Sequence, residues 1–258
     1  MVLNAYWSAG SYDWLGDREL AEDFIKGWRK ACDMAGVVWG GGETQSLSGI
    51  VMPGALEFAG SAFGIVRTER QLMRGARLRA GDTIVLIESS GVHANGISLI
   101  RAVADKLPDG YRTELPSGIS LGESLLTPTH IYAQLMKRLF EAGLDIHYVS
   151  NITGHGWRKL MRAVEPFTYT IERIPPAGEL FDFIAEQSGS DMHDMYGTFN
   201  MGAGFAIYAA AGAVSQIIQV AEAIGLRAWE VGHLEKGPKQ VVIKPLDITF
   251  GSDSLEVR

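Results

Sequence analysis

Four short stretches set a polar or ionisable residue among glycines: GGGET at 40–44, SSGVHANG at 89–96, NITGHG at 151–156 and TFNMGAG at 198–204. Glycine lets a ligand approach backbone N–H groups, and a loop that feeds a helix aims those groups and the positive end of the dipole at an anion. SSGVHANG stands between a strand pattern and a helix pattern, where that geometry is expected. In it His93 is either a proton donor or charge beside a phosphate, or a surface histidine in a capped turn. Asn95 either caps the helix or holds a polar group of a substrate. Glu43 in GGGET is either a carboxylate turned toward a divalent ion or a solvated turn residue. NITGHG runs into Arg158, Lys159 and Arg162, which either favour an anionic ligand or form a solvated face. The chain has no Walker-type phosphate loop, no Rossmann fingerprint and no HExxH zinc motif. The shared style of the four stretches points to one shared site.

The elements that must position them are partly readable. DRELAEDFIKGWRKACDMAG predicts a helix with Asp17 as N-cap, one buried face through Leu20, Phe24, Ile25, Trp28 and Cys32, and Gly36 as its stop. The single cysteine, Cys32, lies on that face as a small core hydrophobe and leaves no partner for a disulfide, which fits a reducing, cytoplasmic compartment. EFAGSAFGIV reads as a strand. The charged, poorly periodic RTERQLMRGARLRAGD suggests a boundary near Gly75. Beyond it TIVLIES reads as a strand, ISLIRAVADKL as a helix, and TPTHIYAQLMKRLFEAG as a helix from Thr127 and Pro128 to Gly143. FTYTIERI, FNMGAGFAIYAA and KQVVIKP read as strands, AGELFDFIAEQSG and AVSQIIQVAEAIG as helices, so this half is expected to be a sheet with helices on it. The tail after Pro245 shows no pattern.

Composition bounds the function. With 258 residues, 47% hydrophobic and 21% charged, the chain is an ordinary globular protein. A net charge of -7 argues against nucleic-acid binding through phosphate neutralisation, and the longest apolar run, Met201 to Val214, is too short to span a bilayer. No nucleic-acid or membrane partner is expected.

Taken together, the stretches resemble the aminoimidazole ribonucleotide (AIR) synthetases, or phosphoribosylformylglycinamidine cyclo-ligases. GGGET resembles the family's GGET loop and SSGVHANGISLIR its SSGxHSNGxSLVR segment. LLTPTHIY resembles its LLxPTxIY helix start, and MYGTFNMGAGF its MYxTFNMGxGM stretch. All four occur in the family's order.

The resemblance implies a two-domain α/β (α+β) fold: a partial first domain over 1–75, a second over 76–245 with a mixed sheet covered by helices, and a tail over 246–258. It implies ATP and magnesium, and the closure of formylglycinamidine ribonucleotide to AIR. The alternatives are another ATP-using superfamily enzyme or a non-catalytic nucleotide-binding or assembly homologue. Carried over by position, Gly41, Gly42, Glu43 and Thr44 would lie near nucleotide phosphates or metal, with Glu43 the metal ligand. His93, Asn95 and Gly96 would border the cleft, Thr153, Gly154 and Gly156 would line it, and Thr198, Asn200 and Gly202 would complete it on the TFNMG strand. His93, Asn95 and Asn200 are the catalytic candidates. A homodimer through the first domains is implied as well. Two departures stand out: His155 replaces a family glycine, and the family's DGVGTK loop and Asn-Asp motif have no counterpart here, which leaves a fragment, a shortened relative or a second chain to supply them.

Overall fold

The computed structural model describes residues 1–255. Two compact units are distinguished. The first holds Met1–Gln71 with Ile131–Lys137, and the second holds Leu72–His130 and the chain from Arg138 on.

In the first unit β1 (Val2–Ala9) is the centre of a three-stranded sheet. After α1 (Tyr12–Gly16) and α2 (Arg18–Ala35), β2 (Val38–Ser46) pairs with β1 in parallel, and β3 (Leu56–Phe63) pairs with it antiparallel. The α2 boundaries follow from its ends. The Asp17 carboxylate accepts the N–H groups of Glu19 and Leu20, each at 3.1 Å, and Gly36 closes the helix with φ 67°. One face of the sheet is sealed by aromatic rings: Trp7 lies edge-on to Phe24 (4.9 Å) and Trp28 (5.5 Å), and Phe24 reaches Phe58 on β3 (5.6 Å). Cys32 is buried as expected, but Leu20 and Ile25 are exposed. Three strands are too narrow to cover the whole apolar stripe of the helix. Register and pleat place Asn4, Tyr6, Glu43 and Gln45 on the opposite face, where Gln45 donates to the Tyr6 hydroxyl at 2.7 Å.

The second unit is built on a seven-stranded sheet. In chain order its elements are β4 (Thr83–Glu88), α3 (Ile97–Ala104), α4 (Leu121–Leu125), the end of α5 (Ala133–Glu141, whose residues up to Lys137 belong to the first unit), β5 (Ile146–Asn151), β6 (Phe167–Ile171), α6 (Glu179–Ser188), α7 (Met192–Thr198), β7 (Ala203–Ala209), α8 (Val214–Glu222), β8 (Ala228–Lys236), β9 (Gln240–Ile243) and β10 (Ile248–Gly251). The strand order is β10-β9-β6-β8-β4-β7-β5, antiparallel throughout except for β6 with β9. Thus the mixed, helix-covered sheet implied by the sequence is present. Every residue of β4 is buried because both faces of the sheet are covered there: Ile84 and Leu86 enter the main core with Ile100, Trp157 and Tyr208, while α8 packs on the strand from the other side.

Four expectations are corrected. The tail after Pro245 contains a strand, β10, where Ile248 and Phe250 are buried and pair with β9; three alternating residues are too few to register as a strand pattern. The helix expected from Thr127 and Pro128 begins only at Ala133. The Pro128 carbonyl there accepts the Ser90 hydroxyl at 2.7 Å, and the Thr127 N–H is held by the Ser124 carbonyl. Finally, GGGET is not a loop but part of β2, and TFN is not a strand: Thr198 ends α7, and Asn200 sits in the turn before β7.

Candidate functional site

Three of the four glycine-rich stretches meet in the second unit, and Asn200 joins them. It is completely buried. Its Oδ1 accepts the Ser89 hydroxyl (2.9 Å) and the Gly202 N–H (3.1 Å), and its Nδ2 donates to the Gly91 carbonyl (2.8 Å). Its own carbonyl accepts the Trp157 indole N–H at 2.8 Å, and the Ser89 N–H donates to the Gly202 carbonyl at 2.9 Å. One side chain therefore stitches the end of β4 to the turn before β7, with Trp157 anchoring it from the segment after NITGHG. Fully enclosed and hydrogen-bonded, Asn200 holds these turns together. Gly202 has φ 84°, and a Cβ there would stand 2.4 Å from the Pro176 carbonyl oxygen.

SSGVHANG does lead into a helix, α3, but Asn95 does not cap it. Its Nδ2 donates to the Val92 carbonyl at 3.0 Å, closing the turn, and Gly96 takes the cap position with φ 66°. Gly96 is required because a Cβ would fall 2.1 Å from the Phe199 ring. His93 and Ala94 both occupy the left-handed region, at φ 50° and 59°, a local strain held in place by the knot around it. The His93 Nε2 accepts the Ser90 N–H at 2.9 Å, so the ring works as an acceptor. Burial, with a smaller contribution from His130, pulls its pKa from 6.5 down to about 4, so it is neutral at physiological pH and is not the positive charge beside a phosphate that the sequence allowed.

That shift has a consequence for acid stability. Because the folded pKa lies below the unfolded one, the unfolded chain binds the extra proton between pH 6.5 and 4; the contribution is complete above pH 6.5 and is lost as pH falls toward 4. With the ring only half-buried, discounting for solvent leaves about 1–2 kcal/mol. Urea unfolding at pH 7 and pH 4.5 should show this loss in the native protein and a smaller one in His93→Gln.

In NITGHG, Thr153 accepts the Gly156 N–H at 3.0 Å, and a Cβ on Gly154 would lie 3.8 Å from the Asn95 Oδ1, so this loop faces the SSGVHANG turn. Arg158 is not a ligand charge: it donates to the carbonyls of His155 (3.1 Å), Ser254 (3.1 Å) and Gly197. His155 has φ 99° and occupies the position where the resemblance expects glycine. Replacing it with glycine should relieve the left-handed strain and, after the entropy glycine adds to the unfolded chain, stabilise the protein by about 0.5–1 kcal/mol. A rise in the urea midpoint checks it.

GGGET belongs to the first unit. A Cβ on Gly42 would stand 2.0 Å from the Ala5 carbonyl oxygen, so that glycine is explained by its close pairing with β1. Gly41 has φ 124°; Glu43 and Thr44 are exposed on the strand, opposite Tyr6 and Trp7. The Glu43 carboxylate has no hydrogen-bond or ion-pair partner among the described residues, which fits one ligand of a hard divalent ion.

Sequence reasoning missed several residues here. Ser89 and Trp157 act only through tertiary contacts, and the Glu88–Arg227 pair joins positions far apart in the chain. GISLG at 118–122 has the spacing of a nucleophile elbow, yet Ser120 caps α4 and shares a capping box with Glu123. A cleft of about 370 Å³ opens beside Ser89, Ser90 and Gly91, with the start of α6 and Arg227 on its walls.

A mixed sheet covered by helices, with converging glycine-rich turns beside a cleft, defines an α/β domain. Residues 79–244 match the family described as AIR synthase related protein, C-terminal domain, and the chain belongs to that family. It is 35% identical over 230 residues to the phosphoribosylformylglycinamidine cyclo-ligase of Methanothermobacter thermautotrophicus, covering 88% of this chain and 66% of that one. It is 33% identical to the enzyme of the same name from Prochlorococcus marinus, covering 84% and 64%. The chain thus spans about two thirds of the length of these relatives. Among solved structures, E. coli HypE, a hydrogenase maturation protein, aligns with a TM-score of 0.66 at 14% identity over 100% of this chain and 74% of that one. T. maritima PurL complexed with AMPPCP aligns at 0.57 and 15% over 97% of this chain and 36% of that one. These likenesses show the fold. No helix among the described residues is long and apolar enough to cross a membrane.

Proposed function

We propose that the chain contributes to an ATP-dependent cyclo-ligase site that closes formylglycinamidine ribonucleotide to AIR, releasing ADP and phosphate, in the cytoplasmic synthesis of purines. The observation that carries the reading is the Asn200 knot, which brings SSGVHANG, NITGHG and TFNMGAG together at one place in a chain whose relatives bear that name.

The reaction asks a protein for alignment more than for a covalent nucleophile: the amide oxygen is activated as a phosphate ester and an internal nitrogen displaces it. The residues suit that demand. Asn200 and Trp157 fix the turns; neutral His93 holds the Ser90 amide; Asn95, Gly96, Thr153 and Gly154 present backbone and one side-chain amide to a small polar ligand. Gly156, Thr198 and Gly202 support these turns from behind. Glu43, Gly41, Gly42 and Thr44, in the first unit, are proposed for nucleotide phosphates, with Glu43 as a ligand of Mg²⁺. When bound, Mg²⁺ would supply neutralisation of phosphate charge.

The test is ADP release with ATP, Mg²⁺ and formylglycinamidine ribonucleotide, against controls without the ribonucleotide. Release that depends on it supports the reading. Equal release with thiamine monophosphate or selenide would favour another ATP-using enzyme, and none with any substrate would favour a non-catalytic homologue.

The first unit also motivates a homodimer. Both outer strands of its sheet, β2 and β3, have an unpaired edge, and Val38, Phe58 and Phe63 are exposed on them. Light scattering at micromolar concentration should give twice the chain mass; a monomer would remove this proposal.

A further inference from the structure

The seven-stranded sheet carries a hollow of about 300 Å³ at the end of β4 that lies away from the glycine-rich turns. A bulge shapes it. Thr83 of β4 pairs with His233 of β8 and Ile84 with Gly232, and the register then slips so that Val85 meets Glu230, leaving Val231 as the extra residue. Thr83 and Val85 share one face of β4, so the slip puts His233 and Glu230 on that same face although they are three residues apart. Thr170 of β6 lies opposite His233, and beyond it Glu172 and Arg173 form another wall. The length of β4, roughly 16 Å, separates this hollow from Ser89.

Its charged groups are unevenly committed. Glu172 is held by the Lys244 ammonium at 3.2 Å, and the His233 ring has Glu235 at 2.9 Å. Arg173 donates to the main-chain carbonyl of Glu230 at 3.0 Å, yet the Glu230 carboxylate pairs neither with it nor with any other group among the described residues. Opposite charges on β8 and at the end of β6 thus stand beside each other without closing into an ion pair. Thr83 gives an independent sign. It is only 5% exposed, it lines the hollow, and its hydroxyl has no hydrogen-bond partner among the described residues. A hydroxyl withdrawn from bulk water and left unpaired costs free energy that a bound ligand's hydrogen bond would recover.

We propose that this hollow binds a small zwitterion, an α-amino acid with a short or polar side chain, its ammonium group on Glu230 and Thr83 and its carboxylate on Arg173. An ammonium group carries three N–H donors and asks for acceptors, while a carboxylate matches the planar guanidinium fork. A ligand of one sign alone would leave one of the two free charges unanswered. The lining is polar apart from Val231 and Gly232, so a long apolar side chain finds no surface to cover there. None of these residues belongs to the glycine-rich turns, and the site is independent of the cyclo-ligase reading.

Amide resonances of the whole, nitrogen-15-labelled chain, titrated with glycine, methylammonium and acetate, test it. Glycine should move the Val231 and Gly232 amide signals saturably, with a dissociation constant on the order of 1 mM, because so small a ligand in a partly exposed hollow has few contacts. Methylammonium and acetate, each carrying one of the two charges, should bind at least about tenfold more weakly. Glu230→Gln and Arg173→Gln should each weaken glycine binding about tenfold or more, and Thr83→Val about threefold. Glu230 and Arg173 are exposed, so their variants carry the comparison if Thr83→Val disturbs the spread of the spectrum. Three results would overturn the site: no saturable shift with glycine up to about 50 mM, equal affinity in the native protein and Glu230→Gln, or acetate or methylammonium binding as tightly as glycine.

Discussion

Asn200→Ala is expected to lower unfolding stability by about 4 kcal/mol. The amide has three partners in a fully buried place: the Ser89 hydroxyl, the Gly202 N–H and the Gly91 carbonyl. Removing it leaves those groups without a bond and opens a space too small to solvate them well. Each orphan costs about 1–3 kcal/mol, and their sum is an upper bound because neighbouring losses relax together. Asn200→Asp separates the contributions: a carboxylate still accepts from Ser89 and Gly202 but brings an uncompensated charge into a fully buried place against the Gly91 carbonyl, so at pH 7 it should lose at least as much. Urea midpoints of the three proteins check the order. Hydrogen exchange at the Ser89 amide, bonded to Gly202, should quicken in parallel; a loss of under 1 kcal/mol in the alanine variant would mean the knot is not holding the turns.

Gly156→Ala carries an expected loss of about 3 kcal/mol or more, from geometry instead of hydrogen bonding. Gly156 has φ 53°, and its Cβ would stand 2.1 Å from the Tyr196 carbonyl oxygen and 2.8 Å from that of Phe199. These are backbone atoms at the end of α7, so no side-chain rotation relieves the clash. The control lies two residues away. At Gly154 an added Cβ meets nothing nearer than the Asn95 Oδ1 at 3.8 Å, so Gly154→Ala should stay within about 0.5 kcal/mol of the native protein. Similar midpoints for the two variants would show that the close approach at Gly156 is not fixed.

These contrasts show what the sequence made legible. Helix ends with a capping residue and a terminal glycine, such as Asp17 and Gly36 around α2, were readable because the signal is local. β4 was readable as an unbroken apolar run. By contrast β8 was missed: Glu230, Glu235 and Lys236 interrupt its pattern, and only pairing with β4 and β6 on either side makes it a strand. The start of α5 was misplaced because a distant hydroxyl, that of Ser90, takes the Pro128 carbonyl. In the site, the glycine-rich stretches were visible as a set, yet the reason for individual residues was not. Gly42 answers to a neighbouring strand, Asn95 to its own turn and Arg158 to three carbonyls, all facts of tertiary structure.

The strand order has a further consequence for synthesis. β4 lies between β7 and β8, whose residues 203–209 and 228–236 leave the ribosome long after TIVLIE has done so. Until then a strand with four successive apolar residues, Ile84 to Ile87, has both edges and both faces open, in a fold whose pairings are mostly distant along the chain. A nascent chain halted before β7 should therefore depend on a chaperone to stay out of aggregates, and should lose that dependence once β8 has emerged.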